Sequence, residues 1–135
     1  MLLGAARGDH SVPGIGEREL ADIQPHERTT PAGRFVAEAG RNTNGEDIFW
    51  LDYDAAVSMH RVRALNRSER RLQRLASPTP VDNRISYGCV NLPVAFYDTQ
   101  VRPLFTAHGG VVYLLPDTLP LHSVFGALDT APRSR

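Results

Sequence analysis

The alternation of apolar and polar positions is weakest at the start of the chain and strongest in its middle. Glycines and prolines are dense from Gly4 to Gly33, with Val12-Pro13-Gly14-Ile15-Gly16 and Thr29-Thr30-Pro31-Ala32-Gly33 as turn material, so this opening stretch predicts mostly loop. Two β-prone runs, 34–38 and 47–53, then flank Asn42-Thr43-Asn44-Gly45-Glu46, and an Asn-Gly between such runs predicts a hairpin. Residues 55–62 predict a further strand. Its period of two puts Ser58, His60 and Val62 on one face and Val57, Met59 and Arg61 on the other. Ser68 reads as the cap of a short helix over 69–75, which Ser77-Pro78-Thr79-Pro80 ends. Pro93 suits a first helical residue, and Val94, Phe96, Tyr97, Val101 and Phe105 give a partly amphipathic stretch ending near Pro103. Gly109-Gly110 opens an apolar run, 111–115, with the β-branched content of a buried strand. After Pro116 the pattern fades into a tail. The balance is mainly β with one or two short helices, a sheet sandwich or an open barrel.

Composition narrows this reading. A chain of 135 residues is long enough for one domain with a core, so a single domain over 1–135 is expected, its core at about 4–116 and its tail at 117–135. With 41% apolar and 22% charged residues, neither disorder nor a membrane span is indicated. Fifteen basic and fifteen acidic side chains cancel, which removes the general attraction to nucleic acid or anionic lipid that a basic domain has. The first ten residues lack a charged leader and hold too short an apolar run for a secretory signal. One local excess remains: Arg61, Arg63, Arg67, Arg70, Arg71 and Arg74 crowd one stretch, either as a solvated face or as a groove for a carboxylate-bearing substrate.

The one cysteine, Cys89, has no partner for an internal disulfide and no companions for a Cys-type zinc site, which leaves packing or chemistry. It follows Ser86-Tyr87-Gly88, small residues and a glycine at what reads as a strand-to-helix corner. A thiol nucleophile needs a base, and His60 is the histidine on a predicted strand, where rigidity holds a base within reach. His10, His26, His108 and His122 lie in loop-like or terminal stretches. No two histidines have the spacing of a zinc helix motif, so neither metal nor cofactor is expected. A tight turn at Gly88 offers backbone N–H groups to an oxyanion, with the Tyr87 hydroxyl as a further donor.

Three blocks in this order, Thr30-Pro31-Ala32-Gly33-Arg34-Phe35, the strand bearing His60, and Ser86-Tyr87-Gly88-Cys89-Val90-Asn91-Leu92, resemble the L,D-transpeptidase (YkuD-type) catalytic domain of bacterial cell-wall enzymes. The resemblance covers roughly 4–116, and the cysteine block is its specific part. It implies an L,D-transpeptidase-like sandwich or open barrel in which Cys89 accepts the acyl group as a thioester and His60 is its base, oriented by an acceptor such as the Arg61 backbone carbonyl. Ser86, Tyr87 and Gly88 complete the catalytic turn, and Asn91 and Arg61 are the implied substrate contacts. The substrate implied is a peptidoglycan stem peptide, handled by a monomer in the periplasm or cell envelope. The alternatives are a catalytically weakened or inactive wall-binding relative and an L,D-carboxypeptidase that uses water as acceptor. The sequence departs from the family in having Tyr87 where histidine is usual and a longer interval between His60 and Cys89. It also opens, at Met1-Leu2-Leu3-Gly4, on what would be an inner strand, without the family's preceding strands.

Overall fold

In a computed structural model, which describes residues 14–24, 27 and 29–126, five strands form a single mixed sheet curved into a half-barrel, with a few short helices, so the chain is mainly β. The strands are β1 (Gly33–Arg41), β2 (Asp47–Asp52), β3 (Val57–Arg61), β4 (Val90–Leu92) and β5 (Gly110–Leu114), in the spatial order β4-β3-β2-β1-β5. The described residues thus show the open-barrel alternative and no second, stacked sheet. The expected inner strand at Met1 to Gly4 lies outside the described residues, as do His10 and His26.

The β1–β2 hairpin forms around the Asn-Gly step. Gly45 donates its N–H to the Asn42 carbonyl at 3.0 Å and adopts φ +79°, a left-handed conformation that a side chain would resist. Asn42 fixes the loop from inside, its Oδ1 accepting from the N–H groups of Asn44 (2.9 Å) and Glu46 (3.0 Å). From there β2 runs antiparallel to β3, with Phe49 opposite Met59 and Trp50 opposite Ser58. A parallel pairing then joins β3 to β4, bringing Met59 opposite Val90, His60 opposite Asn91 and Arg61 opposite Leu92. Parallel neighbours need a crossover. Residues 62–89 supply it.

That crossover contains a 3-10 turn (Arg67–Glu69) and α1 (Arg71–Ala76). The expected cap shifts by two residues: the Asn66 side chain accepts from the Ser68 N–H, and Arg70, at φ +50°, breaks the run before α1 begins. Asn83 closes the other end, its Nδ2 donating to the carbonyls of Arg74 (2.8 Å) and Ser77 (3.0 Å).

A longer helical stretch, 94–108, follows β4 and continues past the expected stop at Pro103. It comprises α2 (Val94–Phe96), a π-helical turn (Tyr97–Val101) and α3 (Arg102–His108). Pro103 has no N–H to give to the preceding turn. The widened turn just before it, with Pro103 in the first turn of α3, lets the stretch continue. Its inner side buries Tyr97 and Val101 against Ala37, Phe49, Met59, Val90, Leu92 and Leu114, and this is the main core. Among the described residues the expected buried strand at 111–115 is instead an edge strand paired only with β1: Val111 and Tyr113 are 41% and 45% exposed while Leu114 is buried. The expected tail contains α4 (Leu121–Phe125), whose Phe125 ring stands edge-on to Tyr113. Among the described residues no helix is long and apolar enough to cross a membrane.

Candidate functional site

The period of two in β3 does more than separate inside from outside, because both of its faces are covered: Val57, Ser58, Met59 and His60 are all buried. Val57 and Met59 belong to the main core with Val90 and Leu92. Ser58 and His60 look the other way, and so, by the parallel register, do Cys89 and Asn91. Those four side chains form a two-by-two array, with Ser58 level with Cys89 and His60 level with Asn91. The Ser58 Oγ to Cys89 Sγ distance of 3.5 Å agrees with that placement.

Cys89 stands at the entry to β4, three residues before the strand-to-helix corner where the sequence had suggested it. Strand β4 is too short to announce itself as a strand. The turn before it is locked through the Cys89 carbonyl, which accepts from Ser86 Oγ at 2.7 Å and from Asn91 Nδ2 at 3.3 Å. Gly88 is required by two separate facts. Its φ is +122°, and a Cβ there would lie 3.0 Å from the Thr29 carbonyl oxygen. The N-terminal Thr29-Thr30-Pro31 segment is therefore built directly against the cysteine turn. Tyr87 is 60% exposed, and among the described residues no hydrogen bond ties its hydroxyl to the sulfur.

His60 carries a tautomer that the geometry dictates. Its Nδ1 lies 2.6 Å from the Arg61 carbonyl oxygen, an atom that can only accept, so Nδ1 bears the proton and Nε2 keeps its lone pair. Burial disfavours the imidazolium and holds the histidine's pKa below its ordinary 6.5; the hydrogen bond to the Arg61 carbonyl and the charge of Glu46 oppose the effect, and Arg63 and Arg71 add to it. One step beyond the Phe49–Met59 pair, Ile48, 2% exposed, comes level with His60 and helps keep it dry. The surroundings of the ring thus favour its neutral form.

The sulfur itself bonds elsewhere. Among the described residues its hydrogen-bond partners are the Ser58 hydroxyl and, at 3.6 Å, the Ala56 carbonyl oxygen. Ala56 ends the turn between β2 and β3 at φ +55°, a left-handed conformation that costs an alanine roughly 1–2 kcal/mol. Its N–H donates to the Tyr53 carbonyl at 3.0 Å, and Asp52 Oδ1 accepts from the N–H of Ala55 at 2.9 Å.

Arg61 differs from the substrate contact expected of it. Its side chain alternates away from His60, donating from Nε to Asp98 and from Nη1 to Asp47, each at 2.8 Å, while its guanidinium carbon lies 4.5 Å from the centre of the Tyr97 ring. Hydrogen bonding to Arg61 lowers the Asp47 carboxyl below its ordinary range, and burial pushes the Tyr97 phenol up to about 12. Arg61 therefore clamps β2, β3 and the 94–108 stretch together, and only its carbonyl enters the site. The arginine crowd is similarly engaged: Arg63 faces Glu46 at 3.2 Å, Arg71 pairs with Glu69, and Arg74 donates to the Arg84 carbonyl at 2.7 Å. Four of the six are thus tied to carboxylates or carbonyls, while Arg67 and Arg70 are exposed.

Sequence reasoning missed Ser58, Ala56 and Thr29. Ser58 was visible two residues before His60, but nothing local says which serine will stand opposite Cys89 until the parallel register is known. Among the described residues no cluster of three or more histidine, cysteine or acidic side chains could hold a metal ion. Comparison of the chain with models of protein families, with curated proteins and with solved structures found no match in any of the three.

Proposed function

We propose that the protein is a cysteine acyltransferase of the L,D-transpeptidase type, acting on peptidoglycan stem peptides in the cell envelope as a monomer. The observation that carries this reading is the array on one face of β3 and β4, in which Cys89, level with Ser58, shares that face with a buried His60 one alternation further along, whose Nδ1–H is tied to the Arg61 carbonyl. The cysteine block that resembles the family supplies the substrate class.

In this mechanism His60 Nε2 takes the thiol proton and the sulfur attacks the carbonyl between the L-centre and the terminal D-residue of a tetrapeptide stem. The N–H groups of the Gly88–Cys89 turn face the developing oxyanion. Collapse returns the proton to the departing amine and leaves a thioester on Cys89, which the amine of a second stem then resolves. The thiol first turns away from the Ala56 carbonyl that it faces at rest. Exposed Tyr87 lies beside the incoming peptide.

The test is digestion of purified sacculi followed by muropeptide analysis, with a carbapenem as covalent probe. New cross-links together with an intact-mass adduct that disappears in Cys89→Ala support the reading. Loss of tetrapeptides without cross-links would reassign the enzyme as an L,D-carboxypeptidase. A folded protein giving neither products nor adduct sinks the proposal.

A further inference from the structure

The resting sulfur sits between two oxygens of opposite character. The Ala56 oxygen is a carbonyl, able only to accept, so at 3.6 Å it receives the S–H proton. The Ser58 hydroxyl, 3.5 Å from the sulfur, can give a proton as well as take one. Ser58 is 5% exposed, and the sulfur is its side chain's hydrogen-bond partner among the described residues. With the S–H directed at Ala56, the compatible arrangement has the Ser58 O–H donating to a sulfur lone pair.

These two contacts respond in opposite ways when the proton leaves. A carbonyl dipole that held the S–H faces a thiolate with its negative end, whereas a donated O–H becomes a stronger, charge-assisted bond. We propose that Ser58 is a positioning residue for the Cys89 nucleophile, its hydroxyl retaining the sulfur as the proton passes to His60 and the Ala56 carbonyl releases it. Bookkeeping of the step is simple: the S–H bond breaks, an N–H bond forms at His60 Nε2, and the electron pair stays on sulfur. Strand β3 is suited to this, because Ser58 and His60 project from one rigid strand on the same side as the thiol. The left-handed Ala56 keeps its carbonyl aimed at the resting sulfur.

The inference rests on the reading of Cys89 as a nucleophile, and its test needs no cell-wall substrate. Alkylation of the full chain by iodoacetamide is followed by intact mass at pH 7 in the wild type, Ser58→Thr and Ser58→Val, with Cys89→Ala as the blank. Threonine and valine have nearly the same shape and differ in the hydroxyl, so packing changes cancel between them. Ser58→Val is expected to react roughly tenfold more slowly than Ser58→Thr, the size of one hydrogen bond to a charged group. The deficit closes at high pH, where hydroxide removes the proton unaided. Equal rates for the two variants at equal folded fraction, or a deficit that persists at high pH, overturn the proposal and leave Ser58 as packing. Should either variant not fold, Ser58→Ala against wild type reads the same hydroxyl and is judged by the same two criteria. Activity on sacculi is scored separately: inactive protein with a hydroxyl-dependent alkylation rate would discard the substrate and keep Ser58, and active protein with no such dependence would do the reverse.

Discussion

Strands β3 and β4 present two faces built from alternate residues of the same short segments, and the faces are held by different physics. On one, Val57, Met59, Val90 and Leu92 meet the 94–108 helical stretch, and removal of apolar surface from water suffices. Any well-shaped hydrocarbon would serve there. On the other, Ser58, His60 and Asn91 are buried beside a partly exposed Cys89, and each buried polar atom needs a partner of the right kind. The polar face does not satisfy them all. Asn91 is fully buried and its Oδ1 has no hydrogen-bond partner among the described residues, a deficit of about 1–3 kcal/mol. Stability thus comes from the apolar face and is offset on the polar one, the division that the proposed chemistry would require.

The largest test of that division is Leu92→Ala. Leu92 is 1% exposed in the main core, so its truncation is expected to cost about 2–5 kcal/mol in chemical denaturation while leaving the alkylation rate of Cys89 in the folded protein unchanged. A slower reaction of the folded variant would show that the two faces are not independent.

Gly88→Ala probes the polar face through its backbone. A methyl group 3.0 Å from the Thr29 oxygen, at φ +122°, is expected to cost about 1–3 kcal/mol and to change the reactivity of Cys89 as well. An alanine variant with unaltered melting and unaltered alkylation would mean that the turn is not held where the geometry places it.

The smallest effect concerns pH. The unfolded chain protonates His60 near the ordinary 6.5, whereas burial makes the folded chain resist that proton. Protons therefore bind more readily to the unfolded state, and stability falls as pH drops through 6.5 toward the lower folded value. Urea unfolding at pH 7.5 and pH 5.5 is expected to show a decline that His60→Gln reduces. A decline of the same size in both proteins would assign it to the carboxylates instead. Activity that needs neutral His60 persists to lower pH than an ordinary histidine would allow.

Much of this arrangement was legible in the chain, where the determinants are local. The Asn44-Gly45 turn, the alternation of β3 and the short helix before Ser77 each follow from neighbours a few residues apart. What escaped depends on distant pairing. Val90-Asn91-Leu92 is too brief to show a period, and it becomes a strand because β3 is there to receive it. Arg61 read as a substrate contact until Asp47 and Asp98 were brought to it from another strand and from the helical stretch. The edge position of β5 likewise is a property of the sheet order rather than of the run 111–115. Within the site, Cys89 and His60 were distinguished by residue type and context, and Ser58 and Ala56 were not, since a serine and an alanine carry no chemical signal until a sulfur is placed beside them.

The contact between Gly88 and Thr29 ties the cysteine turn to a segment some sixty positions earlier, across the hairpin, β3 and the crossover. A turn completed by so remote a neighbour is expected to take its shape late, after the loop between them has closed. During refolding, the native alkylation rate of Cys89 is then expected to return together with the global folding signal, and recovery of that rate ahead of the global signal would show that the turn forms without its remote neighbour.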